Sequence, residues 1–313
     1  MKKRSVKIVL IVLAVLIVGG AIGMYFAAKT IYDSNFNYRC TTGEENMFDV
    51  SEFPSLTRER HTFTSDNGQQ LVGYLYEQGD EELEEKAVVV FAHGLGAGGQ
   101  TGYMDMFNYL TEQGYYVFAY DATANDESEG DVIGGLPQGI VDLKHAIDYA
   151  HTLEEINTLP FVYMGYSWGG LSVANVLNYH PDVKAVVSMS GWNESMDLIE
   201  HQGIQMVGNV AKLMIPFARV HEYFMYGDYA FSTAMKGFAN SDCNVMIIHG
   251  AEDDTIPIEY GYEKYFEKYS EDERFVFKKI EGRDHIIFNH SDGSRDEELI
   301  VEVLEFLDSS IKE

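Results

Sequence analysis

Cysteine is scarce in this chain of 313 residues: only Cys40 and Cys243 are present, so no disulfide framework can hold it together. Cys243 opens the apolar run Val245-Met246-Ile247-Ile248 and reads as a core residue at a strand end, which favours two separate thiols. No Cys/His cluster has the spacing of a metal site, and neither a metal nor a cofactor is expected. Basic residues are few as well, with 22 Lys and Arg against 50 Asp and Glu and a formal charge of −28. That balance argues against nucleic acid and against anionic membrane surfaces as partners, since like charges repel. Internal repeats and low-complexity tracts are absent, which leaves one large core for a chain that is 46% hydrophobic.

The charge pattern breaks at the start. Residues 1–7 are basic, and Ile8 to Ala28 carry no charge at all. A run of that length can cross a bilayer, which needs about 20 apolar residues. It exceeds the roughly 7–15 residues of a cleaved signal's apolar core. Ala21 and Gly23 form a small-x-small pair that keeps cleavage open, but residues 1–28 are read as an uncleaved signal anchor. Lys2, Lys3, Arg4 and Lys7 flank one side against Lys29 on the other. The positive-inside rule therefore puts the N-terminus in the cytoplasm and everything after residue 28 outside the cell membrane. Residues 29–59 are polar, acidic and irregular, and are expected to form a stalk or wrapping segment.

Beyond them, His61–Thr64 and Gln70–Tyr76 alternate around Ser65-Asp66-Asn67-Gly68, a strong hairpin signal. An acidic loop, Asp80 to Glu85, follows. Strands and helices then alternate. Strands are predicted over 87–92, 115–120, 161–166, 183–190, 243–249 and 275–280. Helices are predicted over about 101–113, 137–151, 258–268 and 295–309. Such alternation gives an α/β fold, a mostly parallel sheet covered on both faces, with an N-terminal antiparallel hairpin. One long interruption, about 191–240, separates two core strands. It is rich in Met and aromatics, among them Trp192, Met206, Phe224 and Phe238, and is expected to form a helical cap near the site. Flexible Met and flat rings suit an adaptable apolar pocket, or simply pack the cap on the body.

The chemistry centres on Gly165-Tyr166-Ser167-Trp168-Gly169. An apolar strand runs into Gly-x-Ser-x-Gly, and a run with helical spacing follows: strand, tight turn and helix around a serine, the nucleophile elbow. The two glycines take away side chains that would clash where the chain doubles back. Ser167 then stands above the sheet edge, with the Trp168 amide at the positive end of a helix. Serine is a weak nucleophile at neutral pH and needs a base. In an α/β sheet its partners should lie in loops after later strands. The 243–249 strand leads into Asp253 and Asp254, and the last strand leads into His285, with His290 farther on. Serine, acid and histidine thus run in the chain order of one hydrolase class. His249 and His93 read as structural.

These motifs make residues of about 60–310 resemble an α/β-hydrolase of the serine-hydrolase superfamily. The nearest group is the membrane-anchored bacterial hydrolases placed with esterases, monoacylglycerol lipases and serine aminopeptidases. The resemblance implies an α/β-hydrolase domain over 60–313 with its cap at about 191–240. It implies an acid at Asp253, in Gly-x-x-Asp-x-x-Ile-Pro, and a base at His285, in Gly-x-x-His. It also implies an oxyanion hole from the amides of Leu95, in His93-Gly94-Leu95-Gly96, and Trp168. Residues 121–130 depart from the family loop: Thr123, Ala124 and Asp126 replace an arginine and two glycines. The implied reaction is cofactor-free hydrolysis of a small-molecule ester with an apolar acyl or alcohol part. Amide or peptide cleavage by the same residues is the alternative, and a non-catalytic binding protein on this fold is a third reading.

Overall fold

The computed structural model describes residues 2–79, 83–96, 99–289 and 295–312, with side chains from residue 6 onward. His290 and part of the acidic loop 80–85 lie outside the described residues.

A single helix opens the chain, α1 (Lys2–Phe36). Its residues Val6–Phe36 are long and apolar enough to cross a membrane. The expected break after Ala28 does not occur, and the helix continues for two more turns into the presumed stalk. No Gly or Pro stands between Met24 and Cys40 to stop it. Lys29 pairs with Asp33 one turn on, and Tyr32 and Phe36 are buried. The polar residues there mark only the outward face of a helix whose inner face packs on protein. Past it, the chain wraps the body: the Cys40 amide donates to the Ala124 carbonyl at 2.8 Å.

The sheet begins with the hairpin β1 (Leu56–Thr64) and β2 (Gln70–Gln78). Its first strand starts before the alternation at His61, because residues 56–60 pair in register with 74–78. Then come β3 (Ala87–Ala92), α2 (Met104–Glu112), β4 (Tyr115–Tyr120), α3 (Gln138–Ala150), β5 (Phe161–Tyr166), α4 (Trp168–Val176) and β6 (Ala185–Met189). Helices α5 (Ser195–Val207), α6 (Ile215–Tyr226) and α7 (Ala234–Asn240) fill the interruption. The chain closes with β7 (Asn244–Gly250), α8 (Tyr262–Tyr269), β8 (Phe275–Ile280) and α9 (Glu297–Ser310). Helix α8 starts later than its apolar pattern suggests, since Ile258–Tyr260 form a 3-10 turn first.

Among the described residues eight strands form one sheet in the order β1-β2-β4-β3-β5-β6-β7-β8. β2 is antiparallel to β1 and β4, and the pairs from β4 through β8 are parallel. Helices α3, α4 and α8 share the apolar core on one face with Trp192 and Phe238. Helices α2 and α9 cover the other face. Every residue of β3, β5 and β6 is buried. With roughly 1.5–3 kcal/mol for each large apolar side chain buried, the centre of the sheet is the firm platform of the molecule. β5 lies there, between β3 and β6.

Candidate active site

Ser167 follows β5 directly and caps α4, with φ 54° and ψ −113°. A β-carbon-bearing residue pays dearly for that backbone region, so the surroundings must hold it. The Ser167 amide donates to the Met189 carbonyl at 2.7 Å, which ties the turn to the end of β6. The glycines are a steric necessity here. A Cβ on Gly169 would lie 1.9 Å from the Ala92 carbonyl oxygen, and one on Gly165 2.4 Å from that of Gly169.

From this turn the serine hydroxyl reaches His285, with Oγ 2.8 Å from Nε2. The other ring nitrogen, Nδ1, lies 2.7 Å from Oδ2 of Asp253. Of the two carboxylates in the turn after β7, Asp253 faces the histidine and Asp254 is exposed. Oδ1 of Asp253 accepts from the amides of Thr255 (3.0 Å) and Ile256 (2.8 Å). Burial pushes this carboxyl's pKa up, but hydrogen bonds from His249 and His285 outweigh it and hold the group well below the usual carboxylate range. It is a fixed anion.

The loop after β3 faces the same turn. His93 is buried; its Nδ1 donates to the Gly94 carbonyl (2.8 Å) and its Nε2 accepts from the Ala122 amide (2.9 Å). Burial lowers its pKa, so the ring is neutral and braces the loop. Among the described residues no hydrogen bond ties up the amide of Leu95 or Trp168. Both donors are thus uncommitted.

Several contributors carry no motif. The His285 carbonyl accepts from the Tyr166 hydroxyl (2.9 Å) and from Ser190 Oγ (3.1 Å), which fixes the histidine loop from beneath. His249, read as structural, stands against Asp253. The acidic loop 121–130 turns two of its carboxylates, Asp121 and Asp126, inward, while Glu127 and Glu129 stay exposed. Asp121 accepts from the Gln100 amide at 3.0 Å, and Asp126 accepts from the amides of Thr42 (2.6 Å) and Gly99 (2.8 Å). Burial lifts the Asp121 carboxyl to about 7. These groups brace the wrapping segment against the loop after β3. One set of metal-ligand-type side chains converges among the described residues, Glu59, His61 and Glu155. Glu59 and Glu155 are exposed, and the set lies at edge strand β1, four strands from β5.

Solved structures share this architecture. An esterase of Pyrococcus furiosus superposes with a TM-score of 0.66 at 16% identity, covering 88% of this chain and 98% of the esterase. An acylaminoacyl peptidase of Pyrococcus horikoshii gives 0.63 at 17%, over 83% of this chain and 42% of the peptidase. Residues 84–224 match the family described as serine aminopeptidase, S33. The chain has the α/β-hydrolase fold. In sequence it is also similar to the uncharacterized protein YfhR of Salmonella typhi, 28% identical over 211 residues. That match takes in 64% of this chain and 65% of YfhR, short of two thirds of either. The stretch matched by the family model holds β3, the elbow and most of the cap, while Asp253 and His285 lie beyond it.

Proposed function

We propose that this chain, with its α/β-hydrolase fold, is a membrane-tethered serine hydrolase that cleaves a carboxylic ester through an acyl-enzyme on Ser167. The observation that supports it most is the unbroken run from Ser167 Oγ to His285 Nε2 to Asp253, at 2.8 and 2.7 Å. His285 takes the hydroxyl proton as Oγ attacks the ester carbonyl, then returns it to the leaving alkoxide. Water, activated by the same ring, attacks the acyl-serine, and the acid is released. Asp253 fixes the ring and stabilises its cationic form without taking a proton. The amides of Leu95 and Trp168 stabilise the oxyanion, a contribution of roughly 3–4 kcal/mol for a single donor. α1 spans the membrane with its N-terminus inside, and the catalytic domain lies outside the cell membrane.

Amide or peptide cleavage by the same groups is the second reading. The match to the serine aminopeptidase family and the likeness to an acylaminoacyl peptidase favour it. A panel of p-nitrophenyl esters of rising acyl length, run beside aminoacyl anilides, separates the two. Hydrolysis of the esters that is lost in Ser167→Ala supports the esterase. Turnover of anilides alone would replace it with a peptidase, and turnover of neither would remove the enzyme reading.

A further inference from the structure

The apolar side chains between β6 and β7 range from buried through half-buried to exposed. Trp192, Met196 and Phe238 are buried against the body. Met206, Val207, Val210, Leu213 and Phe224 are exposed, at 71, 58, 57, 63 and 71%. Five large apolar groups within nineteen residues of chain form a surface that water does not favour.

That surface adjoins α1. The rings of Tyr25 and Phe224 meet edge to face, centroids 6.3 Å apart. Ala28 and Ile31 of α1 line an apolar cavity of about 100 Å³ together with Met206 and Val207. Polar contacts pin the cap at that height: Tyr32 donates to Glu222 at 2.6 Å, and His221 Nε2 lies 2.7 Å from Asp33.

The height is informative. Ile8 to Ala28 spans about 30 Å at 1.5 Å per residue, the thickness of a bilayer's hydrocarbon. Tyr25 and Ala28 belong to the last turn of that run, and the apolar side chains of α1 continue into the cap's exposed face through Tyr25, which meets Phe224; the ring of Phe26 beside it is 58% exposed. The excess of acidic residues leaves little electrostatic attraction to anionic headgroups. Apolar contact is the interaction this face offers.

We infer that the exposed apolar face of residues 206–224 is immersed in the lipid leaflet where α1 leaves the membrane, so that the enzyme draws an acyl-chain ester from the bilayer. The inference rests on the reading of the chain as a membrane-tethered ester hydrolase. Because α1 and α6 are joined, the cap is held at the lipid boundary whenever α1 spans.

The test uses the full chain in phosphatidylcholine vesicles, with an environment-sensitive fluorophore on single added cysteines: Val12→Cys in α1, Val210→Cys and Leu213→Cys in the cap, and Glu298→Cys on α9. The native Cys40 and Cys243 are buried. Lipids with a nitroxide high on the acyl chain should quench residues 210 and 213, lipid nitroxides should likewise quench residue 12, and iodide should reach residue 298 alone. Quenching of residue 12 by lipid with 210 and 213 open to iodide would overturn the inference and leave the anchor intact. Residue 12 open to iodide would overturn both. Sheltered probes at 210 and 213 that no lipid nitroxide reaches would mean that a second copy covers the face, which also overturns it. In parallel, the Val210→Asp/Leu213→Asp variant should lose on the order of tenfold in hydrolysis of a vesicle-borne ester, with a short water-soluble ester cleaved at the parent's rate. Equal losses on both esters would count against uptake from the bilayer. A parent that cleaves neither ester would contradict the hydrolase reading and with it the uptake, while the quenching data would still report where the face lies.

Discussion

Nε2 of His249 lies 3.1 Å from Oδ2 of Asp253, the same oxygen that holds His285. It also lies 2.9 Å from the Ile256 carbonyl, which can only accept, so the Nε2 proton is shared between two acceptors. The Asp253 carboxylate is therefore held from behind by a buried imidazole as well as by two amides.

This arrangement makes His249 a positioning residue for the proposed reaction. His249→Leu removes a hydrogen bond to a charged group and is expected to lower kcat/KM on the order of tenfold. His249→Gln, which carries an N–H donor at similar reach, should recover part of the loss. Active-site titration before each assay keeps misfolded material out of the comparison. If the leucine variant proved at least as active as the glutamine one, the residue would be packing and nothing more.

The carbonyl of His285 carries two donors from below, Tyr166 and Ser190. Each neutral hydrogen bond is worth about 0.5–1.5 kcal/mol. Tyr166→Phe combined with Ser190→Ala should lower kcat by roughly fivefold to tenfold with KM little changed, because the ring loses its aim and the substrate pocket is untouched. A change confined to KM in steady-state kinetics would contradict this.

Gly169 has no room for a methyl group. Gly169→Ala drives a carbon toward the Ala92 carbonyl, and overpacking of that kind costs roughly 1–3 kcal/mol. Urea unfolding of the detergent-solubilised chain should show a lowered midpoint. An unchanged midpoint would mean that the elbow is not the tight crossing described above.

Glu222 links the cap to α1, and its carboxyl is pushed up to about 7 by burial, which outweighs its hydrogen bonds to Ser195 and Tyr32. The folded state thus holds this proton more tightly than the unfolded state, whose glutamate titrates near 4.5. The stability it confers is complete below that lower value and is lost as pH rises through about 7. The parent's Tm should accordingly fall more between about pH 5 and pH 8 than that of Glu222→Gln. Asp121 and Asp142, lifted by burial to about 7 and about 6, act in the same direction in both proteins and cancel in the difference. Parallel Tm profiles would contradict the assignment.

What could be read ahead of the structure was local or ordered along the chain. The apolar run to Tyr166, the glycines at 165 and 169 and the helical spacing after Trp168 together point to the elbow, since each constraint acts within a few residues. The alternating strands likewise give the parallel sheet. What escaped depends on partners distant in sequence. The continuation of α1 to Phe36 rests on burial against residues nearly two hundred positions away. The inward turn of Asp126 depends on Thr42 and Gly99. His249 looks like any strand-end residue until the turn at 253–256 folds back onto it.

Whether Ser167 is a nucleophile served by His285 is decided by mass spectrometry of the folded chain after treatment with a fluorophosphonate. One covalent adduct is expected, on the peptide containing Ser167, absent in Ser167→Ala and formed far more slowly in His285→Ala. An adduct that survives the loss of Ser167, or none at all on folded protein, would contradict it.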